Sequence, residues 1–384
     1  MAIDPVINST SGKDSVYNTI AGGMNGQIFS WLYDESTGVM YVAGAFTALK
    51  SAYSAFSSDG SVSRYKLGAF DPSGRVSNFN AVINGDVSYM LLRGNTLYLG
   101  GTFTTVNGVS RNCFAAVDKT TGSLLSYVPD PLYSSGYTNV FYMFYDSTNN
   151  ILHINDSSSN HMALDGTTGL FKYNASVYDG TGDGYNYGFW YMALSGESIY
   201  ATTAGGGTNG PDGGALNSGM IKFGATTGTP DYTFNPTIIA GTPTTYTSAP
   251  YTFQILGSTL YMFGIFNKIN GVTRNSIAAV STSTGALVSW YPTVNDFIYD
   301  ATYNGNFYIA GRFSSVNGVS MYGFAGIDSS GNLISSNNLN SSIPTYNQIY
   351  KILQNITNGV IQMSGPFLGN YKKVWDTRYK VARN

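Results

Sequence analysis

One sentence is written three times in this chain. It reads "LYLGGTFTTVNGVSRNCFAAVD" at 97–118, "LYMFGIFNKINGVTRNSIAAVS" at 260–281 and "FYIAGRFSSVNGVSMYGFAGID" at 307–328. A catalytic motif needs to appear once. A segment that recurs at a fixed period is a building unit that stacks on its own copies. Function then has to be sought in what differs between copies.

Each copy divides the same way. Around the first, "DVSYMLL" at 86–92 alternates and predicts a strand, and "RGNT" a turn. "LYLGGTF" predicts a second strand, with Gly100 and Gly101 where another backbone approaches closely. Asn107–Gly108 is a hairpin signal. "CFAAVD" predicts a third strand, "KTTG" a turn and "SLLSYV" a fourth strand. The second strand recurs at Tyr41, Tyr98, Leu152, Tyr200, Tyr261, Tyr308 and Ile361, seven starts in all. The copies near 139 and 187 are worn, the second replacing its hairpin with "TAGGGTNGPDGGALNSG". Short antiparallel strands in such units predict an all-β chain, a seven-bladed β-propeller of four-stranded blades. The expected blades are 27–83, 86–130, 139–178, 186–239, 250–295, 297–342 and 346–384 plus 1–8, in a single domain over 1–384.

The two ends complement each other. "TRYKVARN" from 377 aligns with the third strand "SRYKLGAF" from 63, and "AIDPVINS" at 2–9 aligns with the fourth-strand segment "NFNAVING" at 78–85. Residues 2–8 are therefore expected to complete the C-terminal blade and remove an open edge.

Composition agrees with this reading. Charged residues are 10% of the chain while hydrophobic residues are 43%, so the low charge does not signal disorder. Glycine (46) and tyrosine (31) stand out, as suits short strands, tight turns and an uncharged hydrogen-bonding surface. With a net charge of −2 and no basic run except near the C-terminus, nucleic-acid binding is not expected. The one cysteine, Cys113, rules out an internal disulfide and is expected as an inert core thiol. No apolar run has the length of a membrane helix, and residues 1–15 do not resemble a signal peptide. Adhesive surface chemistry without an export signal is expected of a virion protein, with an extracellular or cell-surface location as the alternative.

The run "LYLGGTFTTVNGVSRNCFAAVDKTTGSLLSYVP" at 97–129 resembles the delta-60-type β-propeller repeat of large secreted and surface proteins. The best-matching copies begin near 39, 97, 260 and 307. The resemblance implies architecture and a surface context. Its matched residues are glycines, hairpin residues and apolar positions, so it implies no catalytic residue.

Several constellations invite a functional reading. Arg64, Arg111, Arg274 and Arg378 share one position before the third strand, as a cation ring would, but a position that repeats with the scaffold is expected to serve the scaffold. "DGTGDG" at 179–184 places Asp179, Thr181 and Asp183 as a calcium loop begins, but the twelfth position is Trp190 and not the required acid. No cofactor is expected, with calcium there the one exception to test. His153 and His161 are read as polar strand residues, with no metal expected. Acids such as Asp86, Asp118, Asp130 and Glu197 show no spacing for paired-carboxylate chemistry. The five Asn-x-Ser/Thr triplets, Asn155 among them, match what an Asn-, Ser- and Thr-rich chain holds by chance.

Enlarged segments gather at the second-to-third loops (49–63, 203–219) and blade connections (8–26, 130–138, 178–186, 240–250). These are expected on one face, where variable loops on a rigid scaffold carry function. Tyr53, Phe56, Tyr133, Tyr137, Tyr178, Tyr185 and Tyr246 fall there, and tyrosine among Ser, Gly and Asn is recognition chemistry. The expected function is a non-enzymatic interaction or structural protein of a virus or phage particle, docking on other virion or surface proteins or a host glycan or receptor. The alternatives are a bacterial surface lectin or adhesin, and a glycan-cleaving enzyme with its site at the channel mouth.

Overall fold

The strands that carry the repeated sentence are buried on both sides. Leu97, Tyr98 and Leu99 are all within 2% of full burial. Alternate side chains point to opposite faces of a strand, so this sheet must be covered twice. Leu97, Leu99, Ala115 and Val117 join one apolar cluster with Tyr41, Leu67 and Ala69 of the preceding repeat. Tyr98, Phe114 and Ala116 join another with Val140, Leu152 and Met162 of the following one.

The structure is a computed structural model describing residues 27–51, 61–127, 139–156, 161–175, 177–178, 186–187, 189–203, 208–209, 215–216, 219–239, 249–334, 351–355, 360–364 and 377–380. Among the described residues there are seven antiparallel sheets of three or four longer strands and no helix. Sheet 1 holds Gln27–Asp34, Val39–Ala45 and Leu67–Phe70, and sheet 2 holds Val87–Arg93, Thr96–Gly101 and Phe114–Asp118. Sheet 3 holds Val140–Asp146, Ile151–Asp156, His161–Asp165 and Phe171–Tyr173. Sheet 4 holds Phe189–Ser195, Ser198–Thr203 and Met220–Gly224, and sheet 5 holds Ala249–Leu256, Thr259–Ile265 and Ile277–Ser281. Sheet 6 holds Ile298–Tyr303, Phe307–Gly311 and Phe324–Ile327, and sheet 7 holds Lys351–Asn355, Val360–Ser364 and Thr377–Lys380. All seven expected second strands are present, each in the middle of a three-stranded core.

The described residues fall into two compact units, one through Asn174 with sheets 1–3 and one from Ala175 with sheets 4–7. In the second unit, Tyr200 and Met220 of sheet 4 pack with Phe253, Leu260 and Met262 of sheet 5. Phe263, Ile277 and Ala279 of sheet 5 pack with Ile298, Phe307 and Ile309 of sheet 6. Within each unit the first strands of successive sheets lie against one another.

The fourth segment is short. In sheets 1, 2, 4, 5 and 6 it is held by one bridge, as in Val117↔Leu124 and Val280↔Leu287, whereas sheet 3 pairs a full fourth strand. The strand expected from 377 is present as Thr377–Lys380 beside Val360–Ser364. The closing segment 2–8 lies outside the described residues.

Three local devices recur and explain the repeated letters. First, Gly101 and Gly311 are where the chain crosses itself: a Cβ on Gly101 would overlap the Asp86 carbonyl oxygen, and one on Gly311 the Phe297 carbonyl oxygen. Second, the residue before the third strand is left-handed: Lys66 at φ 63°, Cys113 at 61°, Ser276 at 61° and Gly323 at 70°. Its amide donates to Phe46, Phe103, Phe266 or Phe313 in turn, and its carbonyl accepts from Gly44, Gly101, Gly264 or Gly311, at 2.8–3.0 Å. Third, the Asn-Gly tips form the expected hairpins, with Asn107, Asn270 and Asn317 at φ near 50° and the following glycines at 76–77°. These are the positive angles a tight two-residue hairpin requires.

The hairpins do not stand clear of one face. Asn107 accepts from the Val82 amide at 2.8 Å and donates to the Gly122 carbonyl at 3.0 Å. Asn270 does the same with Thr237 and Gly285, and Asn317 with Thr293 and Gly331. Each hairpin therefore folds back between the incoming connection and the third-to-fourth turn of its own blade, because one side chain satisfies backbone groups on both.

Candidate functional site

The repeated polar residues are committed to the scaffold. Arg64 donates to the carbonyls of Ser63, Ser77 and Phe79 at 2.8–2.9 Å, Arg111 donates to the Ser110 carbonyl, and the Arg274 guanidinium lies 4.1 Å over the Tyr291 ring. Asp118 caps its own turn by accepting from Thr120 and Thr121, and Asp86 pairs with Lys66. Asp165 caps the matching turn of sheet 3, and the Thr167 and Thr168 hydrogen bonds hold its carboxyl at about 2, below the ordinary range. Burial pushes the Asp34 carboxyl up, but hydrogen bonds from Lys119, Ser36 and Thr37 outweigh that and leave it at about 2.

The histidines differ from the expectation of ordinary polar strand residues. Both are buried, His153 Nδ1 lies 3.1 Å from His161 Nε2, and the pair is sandwiched between Phe144 and Tyr173. Burial holds His153 down at about 3 and His161 well below its usual value. Two neutral rings sharing one hydrogen bond stack like aromatic core residues. Among the described residues no group of three or more His, Cys, Asp or Glu side chains is placed to hold a metal ion. Asn155, on the same strand, is fully buried, so its triplet is not an accessible acceptor.

Of the tyrosines expected to meet a partner, Tyr178 lies in a two-residue strand, Val177–Tyr178, paired with Asn186–Tyr187. Tyr53, Phe56, Tyr133, Tyr137, Tyr185 and Tyr246 lie outside the described residues, as do Asp179, Thr181 and Asp183. The bases of the enlarged segments are described. Ala48–Lys50 pairs with Ser61–Ser63, and Thr208–Asn209 with Ala215–Leu216. Both occupy the position that Asn-Gly hairpins take in sheets 2, 5 and 6. The enlarged tips therefore sit on hairpins, and the base at Val177–Tyr178 touches the base at Thr208–Asn209.

A second row was not anticipated. The first strands of sheets 1–6 each carry a bulge near their start, after one paired residue in sheets 2, 3, 4 and 6 and after two in sheets 1 and 5. The register skips Phe29, Ser88, Phe141, Trp190, Tyr251 or Tyr299 in turn. Bulges re-aim side chains and are frequent beside functional sites. The Tyr251 and Tyr299 rings are half-buried and stacked, with centroids 6.4 Å apart and planes 25° apart. The position is visible in the triplets "VFY", "FWY", "PYT" and "IYD", where an aromatic follows the last residue paired before the bulge.

No family model and no curated protein matches this chain. Among solved structures it is similar to the computationally designed Ika8 protein (TM-score 0.54, 11% identity, covering 94% of this chain and 98% of that one). It is also similar to BamB from Moraxella catarrhalis (TM-score 0.50, 12% identity, 88% and 82% covered) and to the WD40 beta propeller domain of Doa1 (TM-score 0.51, 11% identity, 93% and 94% covered). At such identity the likeness speaks for the fold alone: this chain is all-β and of the β-propeller class.

Proposed function

We propose that this chain is a non-enzymatic interaction protein, a component of a virus or phage particle that docks on other particle proteins or on a host receptor. The observation that carries the reading is the division of labour among the hairpins. Three tips are spent on the Asn latch, while the hairpins at 48–63 and 208–216 carry enlarged tips on the same base, and a third enlarged turn, over 179–185, stands on a base beside the second. Constant bases with tips of variable length are how a rigid scaffold presents contact loops. We read the repeat as delta-60-type and the partner-facing residues as Tyr53, Phe56, Tyr133, Tyr137, Tyr178, Tyr185 and Tyr246. The location in this reading is the virion. Purified, nuclease-treated particles probed for this chain test it. The chain is expected to co-purify at fixed stoichiometry, and Tyr133→Ala, Tyr137→Ala or Tyr185→Ala should release it while its melting temperature holds. A chain absent from particles, or attachment indifferent to all three substitutions, overturns the reading.

A further inference from the structure

We propose that Asn304–Gly305 is a site of spontaneous deamidation by water, and that the Asn latch protects the same dipeptide at the three hairpin tips. Side-chain hydrogen bonds carry the proposal, so it stands or falls apart from particle attachment.

Five Asn-Gly pairs lie within the described residues, at 84–85, 107–108, 270–271, 304–305 and 317–318. Each holds the reacting atoms. The glycine nitrogen loses its proton to solvent base and bonds to the asparagine Cγ. The Cγ–Nδ2 bond breaks, and that nitrogen takes a proton from water and leaves as ammonia. Water then opens the succinimide ring at either carbonyl, giving aspartate or isoaspartate. The sum is asparagine plus water to acid plus ammonia. Glycine favours the first step because it puts no side chain in the path of the closing ring.

At four of the pairs the attacking nitrogen is equally free. Among the described residues the amides of Gly108, Gly271, Gly305 and Gly318 donate no hydrogen bond. All four glycines are exposed, share φ values of 73–77°, and would place a Cβ with nothing within 4 Å, so the ring has room to close.

The asparagine side chain makes the difference. Ring closure requires the carboxamide to swing onto the following nitrogen. At Asn107, Asn270 and Asn317 that swing breaks two hydrogen bonds of 2.8–3.0 Å, one accepted by Oδ1 and one donated by Nδ2. Asn304 has no such hold. Among the described residues its side chain makes no hydrogen bond, and only its backbone amide is committed, to the Asn306 carbonyl at 2.9 Å. Two bonds lost at once slow a reaction by roughly tenfold or more. Asn84 groups with the protected pairs: Thr104 and Thr105 hold it by three bonds, and a Cβ on Gly85 would overlap the Phe103 backbone.

The repeat needs this protection. Asn-Gly is the pair that a tight hairpin favours, and it is also the pair that cyclises most readily. A converted latch would lose Nδ2 and set an acid oxygen against the glycine carbonyl it had held. At Asn304, conversion adds a negative charge to a turn, and isoaspartate lengthens the backbone between Tyr303 and Phe307, which pair across it.

The test incubates the full chain in mildly alkaline buffer below its melting temperature, then maps each Asn-Gly pair by peptide mass spectrometry. The Asn304 peptide should accumulate aspartate and isoaspartate, with Asn107, Asn270 and Asn317 at least about tenfold slower. The same incubation in urea should erase the difference. Val82→Pro deletes the amide from which Asn107 accepts, and in folded protein it should speed Asn107 while Asn270 and Asn317 stay slow. If that variant folds poorly, the unaltered chain with and without urea decides. The proposal is overturned if Asn304 stays intact in folded protein while urea converts it, or if the latched tips convert as fast as Asn304. It is equally overturned if their lag persists in urea, or if Asn107 is no faster in the folded variant.

Discussion

The amide of Cys113 donates to the carbonyl of Phe103 at 2.8 Å while Cys113 stands in the left-handed region at φ 61°. The same clip closes the approach to the third strand in four blades, with Lys, Cys, Ser and Gly as its residue. Only the glycine copy is free of the side-chain penalty, about 1 kcal/mol for an ordinary residue. Gly323→Ala should therefore lower stability by about 1 kcal/mol, and Ser276→Gly should raise it by up to about as much. Urea midpoints of the two variants should move in opposite directions. Equal shifts of the same sign would contradict the clip.

Close approach is a harder constraint than angle. Gly101→Ala forces a methyl into the Asp86 carbonyl, backbone against backbone, and should cost on the order of 2–4 kcal/mol. Gly94→Ala meets nothing within 4 Å at φ 54° and should cost only about 1 kcal/mol. Thermal unfolding of the pair checks the ordering.

Each Asn latch satisfies one amide and one carbonyl. Asn270→Ala should cost about 1–2 kcal/mol through those two bonds. Gly271→Val should cost a similar amount for a different reason, since its Cβ has open space but φ is 77°. Particle attachment should survive both substitutions in folded protein.

Acid should act in two windows. Burial lowers His153 to about 3, so the unfolded chain binds protons below about 6.5 that the folded chain refuses. Stability should fall as pH drops from about 6.5 towards 3. The groups of its own sheet that bear on the pair are Asp146, Asn155, Phe144 and Tyr173. The paired variant His153→Phe/His161→Leu should flatten that part of the profile. Asp34 and Asp165, both held at about 2, add stability above about 4 that is lost as pH falls through 2. Urea midpoints measured from pH 7 to 2 should show both slopes in the parent and only the lower one in the variant.

Period, turn chemistry and glycine pairs made the fold class, the seven middle strands and the hairpins legible in the sequence, because each rests on interactions within a few residues. The left-handed clip was not legible at Cys113 or Lys66, since those residues are chosen against their local preference by bonds to Phe103 and Phe46 on another segment. The bulge row escaped for a related reason. An extra residue looks like ordinary alternation until the pairing register shifts between Pro250 and Thr252 and between Ile298 and Asp300. The histidines, eight positions apart in the chain, became partners only through the offset pairing of adjacent strands.

The latch has one more consequence. Its asparagine is the tip residue itself, so a hairpin cannot lengthen without cutting its own tie to the incoming chain. The hairpins at 48–63 and 208–216 have lengthened, and those at Asn107, Asn270 and Asn317 have not. Natural variation and loop grafting should concentrate at the two longer hairpins. The repeat has thereby divided identical modules into moorings, at the three asparagine tips, and sites of growth.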